Sequence, residues 1–372
     1  MRLSIRNKGF LLLYFVTILL SGCFPSEKRN NISIKEVTGN IDSQGIIDEQ
    51  VDIELTDLIS IKGQVNINQA QALNTYQIDY RQFTDVDLSS IDSDLVANGE
   101  VYREEASEFF YEKYNLAGVQ AEIYPSVLNY TNNYRGEKEW DFLVSTLLLN
   151  ENIYNLPSFD EAAQDLEHVT VLNAIQQADE IIDKLEVETL ATPQVFTIDD
   201  AMLTAVNQLD LGAKTDLSLF DEHDQAQMLV YQLALDGIPF GKSVFSMGQE
   251  QNFSYNGGKI VFIYTEDGLT WLSMSDVFSK ESVRTELLDQ ISYEDLQNRI
   301  INEYDQIIGL ESIIVNDIQV VLLPRIQDSD NFVFDLQPYY QISIESKQTS
   351  GDKDISRNFY DYYSVSNGER YN

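Results

Sequence analysis

The residues Asp236-Gly237-Ile238-Pro239-Phe240-Gly241-Lys242-Ser243, DGIPFGKS, come within one residue of G-x-x-x-x-G-K-S, the loop that wraps a nucleotide's phosphates. The spacing fails, because Asp236 stands where the first glycine belongs and Gly237 leaves only three residues before Gly241-Lys242-Ser243. A phosphate loop also needs a helix whose N-terminus faces the anion. Ser243 leads instead into VFSMGQEQNFSYNGGK, with Gly248, Gly257 and Gly258, which is not a helical pattern. DGIPFGKS is therefore expected to be a turn that ends the strand AQMLVYQLAL, with Pro239 keeping the next residues extended. No nucleotide is expected to bind.

Other catalytic chemistry finds little to use. G-x-S-x-G is absent, the single cysteine is Cys23, and His168 and His223 stand in no motif. His168, on an expected helix beside Glu167, and His223, among Asp221, Glu222 and Asp224, read as surface residues, so no catalytic residue is assigned. Zinc would need three or four ligands, with pairs such as H-E-x-x-H. Calcium suits the many oxygen ligands better, at Asp328-Ser329-Asp330-Asn331 with Asp335 or at the Asp221, Glu222, Asp224 knot. Neither has the glycine and closing glutamate of a calcium loop, so no metal and no cofactor are assigned. The alternative to a non-enzymatic protein is a cell-envelope hydrolase using paired carboxylates, although nothing selects two of the 61 Asp and Glu.

The N-terminus, MRLSIRNKGFLLLYFVTILLSGCFPSEKRNN, places Arg2, Arg6 and Lys8 before an apolar run from Gly9 to Leu20. Residues 1–22 are expected to be a secretory signal, too short for an ordinary membrane-spanning helix. Leu20-Ser21-Gly22-Cys23 resembles the lipobox of bacterial lipoproteins. The resemblance implies cleavage before Cys23, a diacylglyceryl group on its sulfur with palmitate-type chains, and a location on the extracytoplasmic face of the cell membrane. Two acyl chains make a stable anchor where one would exchange. The signal removes three of the 24 Lys and Arg and none of the acids, so the mature chain carries 21 minus 61, or −40. Such a charge repels nucleic acid and anionic headgroups, and no nucleic-acid partner is expected.

Composition and length divide the rest. Residues 23–49 read as anchor and flexible spacer, 50–190 as an N-terminal α+β domain and 191–372 as a C-terminal α+β domain. Ser158-x-x-Glu161 is a capping box, after which Leu166, Val169, Leu172, Ile175, Ala178, Ile182 and Leu185 mark one face of a helix. Thr197-x-x-Asp200 starts a second helix through Ala201, Leu203, Val206 and Leu209. Ser292 starts a third with Leu296, Ile300, Tyr304 and Ile307, and Tyr102 to Tyr114 is read as a fourth. IYPSVLNYT, EWDFLVSTLLL, GKIVFIYT, LTWLSMS, SIIVNDIQVVLLP and NFVFDLQPYYQISIES read as strands, with Glu266-Asp267-Gly268 turning a hairpin. The expected fold class is α+β: two or more modules, each a helix packed on a small antiparallel sheet.

DGIP after an aromatic strand, YTEDGLTWLSM, the SYEDLQNRIINEYDQI helix, and the pair IIVNDIQVVLLP and LQPYYQISIE form an order similar to that of uncharacterised Gram-positive lipoproteins. More loosely, residues 197–346 resemble PepSY-like and YycI-type extracytoplasmic regulatory modules, whose last strands carry an L-x-P-x-[WY] turn, here Leu336-Gln337-Pro338-Tyr339. The resemblance implies no catalytic residues and a role in binding or inhibiting an envelope protein or peptide.

The anchor is tested at Cys23. Cys23→Ser removes the only sulfur that can carry lipid, so metabolic labelling with a fatty-acid analogue should mark the wild-type protein and not the variant. Incorporation at wild-type level would refute the assignment.

Overall fold

A computed structural model describes residues 46–69, 71–106, 109–132, 140, 143–144, 163–207, 222–242, 244–247, 252–255, 257–279, 283–305, 307, 310–328, 333–350 and 353–371. Among them Val, Ile, Tyr and Phe recur at alternate positions, and pleated strands result. In chain order these are β1 (Ile46–Glu54), β2 (Ile59–Asn68), β3 (Leu73–Asp79), β4 (Glu100–Ala106), β5 (Phe109–Leu116), β6 (Val119–Tyr124), β7 (Val127–Asn132), β8 (Gln194–Ile198), β9 (Ala226–Gln232) and β10 (Ala234–Leu235). They continue as β11 (Ile238–Pro239), β12 (Val244–Met247), β13 (Asn252–Tyr255), β14 (Lys259–Thr265), β15 (Gly268–Ser275), β16 (Val283–Leu288), β17 (Leu310–Asp328), β18 (Val333–Ser350) and β19 (Lys353–Ser364). The helices are α1 (Asp85–Ser89), α2 (Ser93–Asn98), α3 (Val171–Leu185), α4 (Asp200–Asn207) and α5 (Tyr293–Tyr304).

Two large sheets organise these elements. The first has seven strands in the order β1-β2-β17-β18-β3-β16, with β19 also on β18. Its one parallel pair is β2 with β17. The second has eight strands, β4-β5-β6-β7-β15-β14-β9-β8, antiparallel throughout. This corrects the expected α+β class of helices on small sheets. Sequence order hid the pairing: β3 joins β16 and β18 across more than 200 residues, and β7 meets β15 across about 140. Strands from either side of residue 190 thus share both sheets.

Several local expectations change with it. Tyr102 to Tyr114 is no helix: it lies in the antiparallel pair β4/β5, where Tyr102 faces Lys113 and Glu104 faces Tyr111. Its run of aromatics favours the pleated surface. The described residues of EWDFLVSTLLL, Trp140, Leu143 and Val144, are helical and buried, not strand. Leu336-Gln337-Pro338-Tyr339 is not a turn but lies within β18, in its first half. Pro338 sits where one edge of β18 changes partner, after the last β3 pair at Leu336 and before the first β19 pair at Tyr339, so its missing N–H interrupts neither ladder.

The helices begin where side chains cap them. Ser158 and Glu161 lie outside the described residues. α3 starts instead after Thr170, whose Oγ1 accepts from Asn173 N, while Asp165 Oδ1 accepts from Val171 N at 2.9 Å. Its buried face is Ala174, Ala178, Ile182 and Leu185, and Leu172 points to solvent. Thr197 belongs to β8, and Asp199 caps α4 by accepting from Met202 N at 2.9 Å. Ser292 caps α5 as expected, with Leu296, Ile300 and Tyr304 buried and Ile307 exposed beyond its end. The β14/β15 hairpin also forms, with Gly268 at φ +91°.

Among the described residues the elements enclose three apolar cores. One lies between the sheets and gathers Tyr76, Phe240, Phe262, Leu322 and Tyr339 with the inner face of α3. A second packs α5 on the first sheet through Leu296, Ile300, Val315 and Ile342. The third covers the far face of the second sheet with Trp140, Leu143, Met202 and Leu203.

A buried carboxylate fixes the α5 side. Asp361 Oδ2 accepts from the Tyr304 hydroxyl at 2.5 Å and the Tyr363 hydroxyl at 3.2 Å, and its Oδ1 accepts from Arg370 Nε at 2.7 Å. Asp361→Ala leaves these donors without their acceptor and should cost about 2–4 kcal/mol. Urea unfolding should show a lower midpoint at unchanged slope; a midpoint equal to wild type would show that the network carries no stability.

Candidate functional site

DGIPFGKS turns between the sheets. β9 leads into the two-residue hairpin β10/β11, whose centre, Asp236 at φ +52° and Gly237 at φ +76°, has the two positive angles of a type I′ turn. The chain then leaves the second sheet for the first. Phe240 N donates to Leu233 O at 2.8 Å, Gly241 N donates to Leu322 O at 2.9 Å, and Phe240 bridges Leu322 in parallel. The next described element is β12, and among the described residues no helix follows the stretch; Ser243 lies outside them.

The turn is held by charge. Asp236 Oδ2 accepts from the Tyr76 hydroxyl at 2.7 Å and from Arg284 Nη2 at 2.6 Å. The Tyr76 bond, then Arg284, hold the Asp236 carboxyl below the usual carboxylate range. Gly237 N donates to Glu188 Oε1 at 2.8 Å.

Behind the turn is a cleft of about 90 Å³. Leu233, Phe240, Val277 and Phe278 form its apolar floor, with Arg81, Glu186 and Glu188 among its walls. Arg81 is already engaged: Nη1 donates to Leu185 O, the last carbonyl of α3, at 2.6 Å, and Nη2 pairs with Asp87 at 2.7 Å. Glu186 ends α3 in the left-handed conformation at φ +52°. The two glutamates therefore stand at the negative end of a 15-residue helix.

Alongside runs β16, the terminal strand of its sheet, paired on one side with β3. Val283 and Leu287 are 60% and 64% exposed, and every residue from Val283 to Leu287 is open to solvent. A bulge between Arg284 and Glu286 interrupts its register, and Thr285 Oγ1 meets Thr75 Oγ1 at 2.7 Å. Edge and cleft meet at the turn, since Leu235 lines the cleft and the next residue, Asp236, binds Arg284.

Beyond the turn lies a second polar group. Lys242 N donates to Gln341 Oε1 at 3.0 Å, and the Tyr362 hydroxyl lies 3.3 Å from both Lys242 O and Gln341 Oε1. The Lys242 side chain stays open to solvent yet its crowded surroundings desolvate the ammonium and lower its pKa. Burial pushes nearby Asp317 up to about 6, with Lys242 opposing.

Among the described residues, those singled out in the sequence do not converge. Leu20, Ser21, Gly22 and Cys23 lie outside the described residues, as do Asp221 and the segment 329–332. His168 is exposed in the bend before α3, not on the helix, and His223 is exposed with Nδ1 2.7 Å from Glu266 Oε1. Among the described residues no three His, Cys, Asp or Glu side chains gather as a metal site, and no helix is long and apolar enough to cross a membrane.

Sequence reasoning missed one carboxylate hub. Glu122 Oε1 accepts from Tyr111, Lys113 and Gln120 at 3.0–3.2 Å, and its Oε2 from Tyr124 at 3.1 Å. Burial raises its pKa, but Lys113 and the two tyrosines outweigh that and leave it lowered. The period-two alternation of YEKYNLAGVQAEIY was the available signal.

No family model matches the chain, and no curated protein sequence does. Among solved structures, the chain is similar to an uncharacterized protein from Eubacterium rectale ATCC 33656, known from a crystal structure at 1.45 Å resolution. The TM-score is 0.66 at 12% identity, over 88% of this chain and 96% of that one. The likeness is one of fold.

Asp317 offers a pH test. Its folded pKa lies above its ordinary value, so the charged form costs stability at neutral pH, and the cost is relieved as pH falls through about 6 towards 3.8. Asp317→Asn should therefore melt higher than wild type at pH 7, and the gap should close near pH 4. Thermal melts across that range decide it; an equal or lower melting temperature at pH 7 would contradict the assignment.

Proposed function

We propose that the protein is a lipid-anchored extracytoplasmic binding protein, non-enzymatic, that recognises an envelope protein or peptide by adding a strand of that partner to β16. The exposed edge carries this reading. An edge strand presents unpaired N–H and C=O groups to any extended chain, and natural sheets guard such edges with charge, bulges or cover. β1 carries Asp48, Glu49, Asp52 and Glu54, and β4 carries Glu100, Glu104 and Glu105. β16 has one Arg and one Glu and shows two apolar side chains instead. Its bulge limits pairing to a short segment, which suits a peptide-sized contact and opposes open-ended stacking of sheets.

Anchoring at Cys23 would hold this edge near other envelope proteins, at a distance set by the spacer.

The test is a photo-crosslinking amino acid at Glu286 in the full lipidated chain, irradiated in intact cells. A discrete adduct should form, and Val283→Lys/Leu287→Lys should abolish it while changing stability by no more than about 0.5 kcal/mol at these exposed positions. Adducts spread over abundant proteins, or a discrete adduct untouched by the lysines, would sink strand addition at β16.

A further inference from the structure

The cleft behind the Asp236 turn offers an occupant apolar surface and little else. Leu233, Phe240, Val277 and Phe278 make its floor, and Val187 and Leu235 stand half-buried at its walls. The polar side chains that line it are already engaged: Arg81 lies between Asp87 and the Leu185 carbonyl, Glu188 accepts from Gly237 N, and Glu186 and Ser279 have partners of their own. A charged occupant would have to compete with bonds already made, whereas an aliphatic one gains contact with the floor and disturbs none. Size narrows the choice further. At about 90 Å³ the cleft is smaller than the roughly 150 Å³ apolar cavity that takes benzene, so it fits an aliphatic side chain and excludes an aromatic ring. Left unfilled, its lining lacks dispersion partners on one side.

The open edge of β16 gives that side chain a source. Ile78 and Ser279 line the cleft, and β16 starts at Val283, paired with Gln77, the neighbour of Ile78. On the other wall Leu235 precedes Asp236, which holds Arg284 of β16. Ser279 and Val283 are four residues apart, at most about 14 Å of extended chain. A strand laid along β16 therefore reaches the cleft with a residue about four positions past its partner of Val283.

We propose that this cleft receives one aliphatic side chain, of the size of valine, leucine or isoleucine, from the extended segment that pairs with β16, and that this residue sets which segments are accepted. This rests on strand addition at β16 and adds the partner's chemistry. Backbone hydrogen bonds along an edge hold any extended chain, and a side-chain pocket beside it selects among them.

The probes are capped nonapeptides of alternating threonine and serine with one guest residue at the centre, leucine, alanine, tryptophan or lysine, titrated against the full chain in detergent micelles. Four residues on either side let the guest reach the cleft whichever way the peptide runs along β16. The leucine peptide should bind about tenfold more tightly than the alanine peptide, the scale of two buried methylene groups, and the difference should not change with salt. Tryptophan and lysine should gain nothing over alanine. Ala234→Leu, which fills the cleft from its own wall, should erase the leucine preference, and Ser279→Leu replaces it if the first variant lowers the melting temperature. Val283→Lys/Leu287→Lys should weaken all four peptides. Equal binding of the leucine and alanine peptides, no binding of the leucine peptide, or a preference that survives cleft filling would overturn the inference while leaving any adduct at Glu286 intact. A leucine preference at unchanged affinity in Val283→Lys/Leu287→Lys would overturn the link to the edge strand.

Discussion

A shortage of cations shapes this protein. Sixty-one carboxylates face 24 Lys and Arg, so there are too few cations for one at every acid. Tyrosine hydroxyls join the cation at Asp236, Glu112 and Asp361 and bind the carboxylate at Asp92 and Asp179. Tyr76 donates to Asp236, Tyr114 to Glu112, Tyr130 to Asp92, Tyr231 to Asp179, and Tyr304 and Tyr363 to Asp361. A phenol is suited to the task because burial and the adjacent carboxylate both raise its pKa, which keeps the donor protonated. Its ring also contributes apolar area to the core that surrounds the pair. These tyrosines are thus both filler and counter-group, and bonds of this kind join strand to helix and turn to sheet.

The join between the sheets depends on the same economy of groups. Phe240 lies in the core shared by the two sheets, while its backbone and that of Gly241 hydrogen-bond first to Leu233 of the second sheet's side and then to Leu322 of β17. Asp236 fixes where that crossing begins by binding Tyr76 of β3 and Arg284 of β16. β17 and β18, 19 and 18 residues long, extend from the α5 core at one end to the inter-sheet core at the other. Pro338 marks the change of partner on β18, a residue that would weaken a continuous ladder and costs nothing at a gap in one.

Local features were legible where they depended on nearby residues. Ser292 capping α5, the Asp236-Gly237 turn and the Gly268 hairpin each rest on a few neighbouring side chains or on a backbone angle that glycine favours. Architecture was not, because β3 pairs with strands more than 200 residues away and no local pattern names a strand's neighbour. Tyr102 to Tyr114 failed for a related reason: its apolar positions fit either period, and the pairing of β4 with β5 and of β5 with β6 decided between them. The site was legible only in part. DGIPFGKS drew notice for phosphate chemistry that its spacing denies, yet its first two residues make the turn between cleft and edge. VRTELL in β16 drew none, since six mixed residues carry no motif and only the sheet order shows that they form an edge.

Charge also bears on the edges of the two sheets. A strand of this acidic chain approaching β1 or β4 meets acidic side chains along the line of contact, so self-pairing is opposed at both. β16, with one Arg and one Glu, has no such row of acids, and neither has the uncharged QVFTI of β8, the terminal strand of the second sheet. The excess of carboxylates that draws tyrosine to the acids inside the fold therefore acts outside it as well, against self-pairing at β1 and β4.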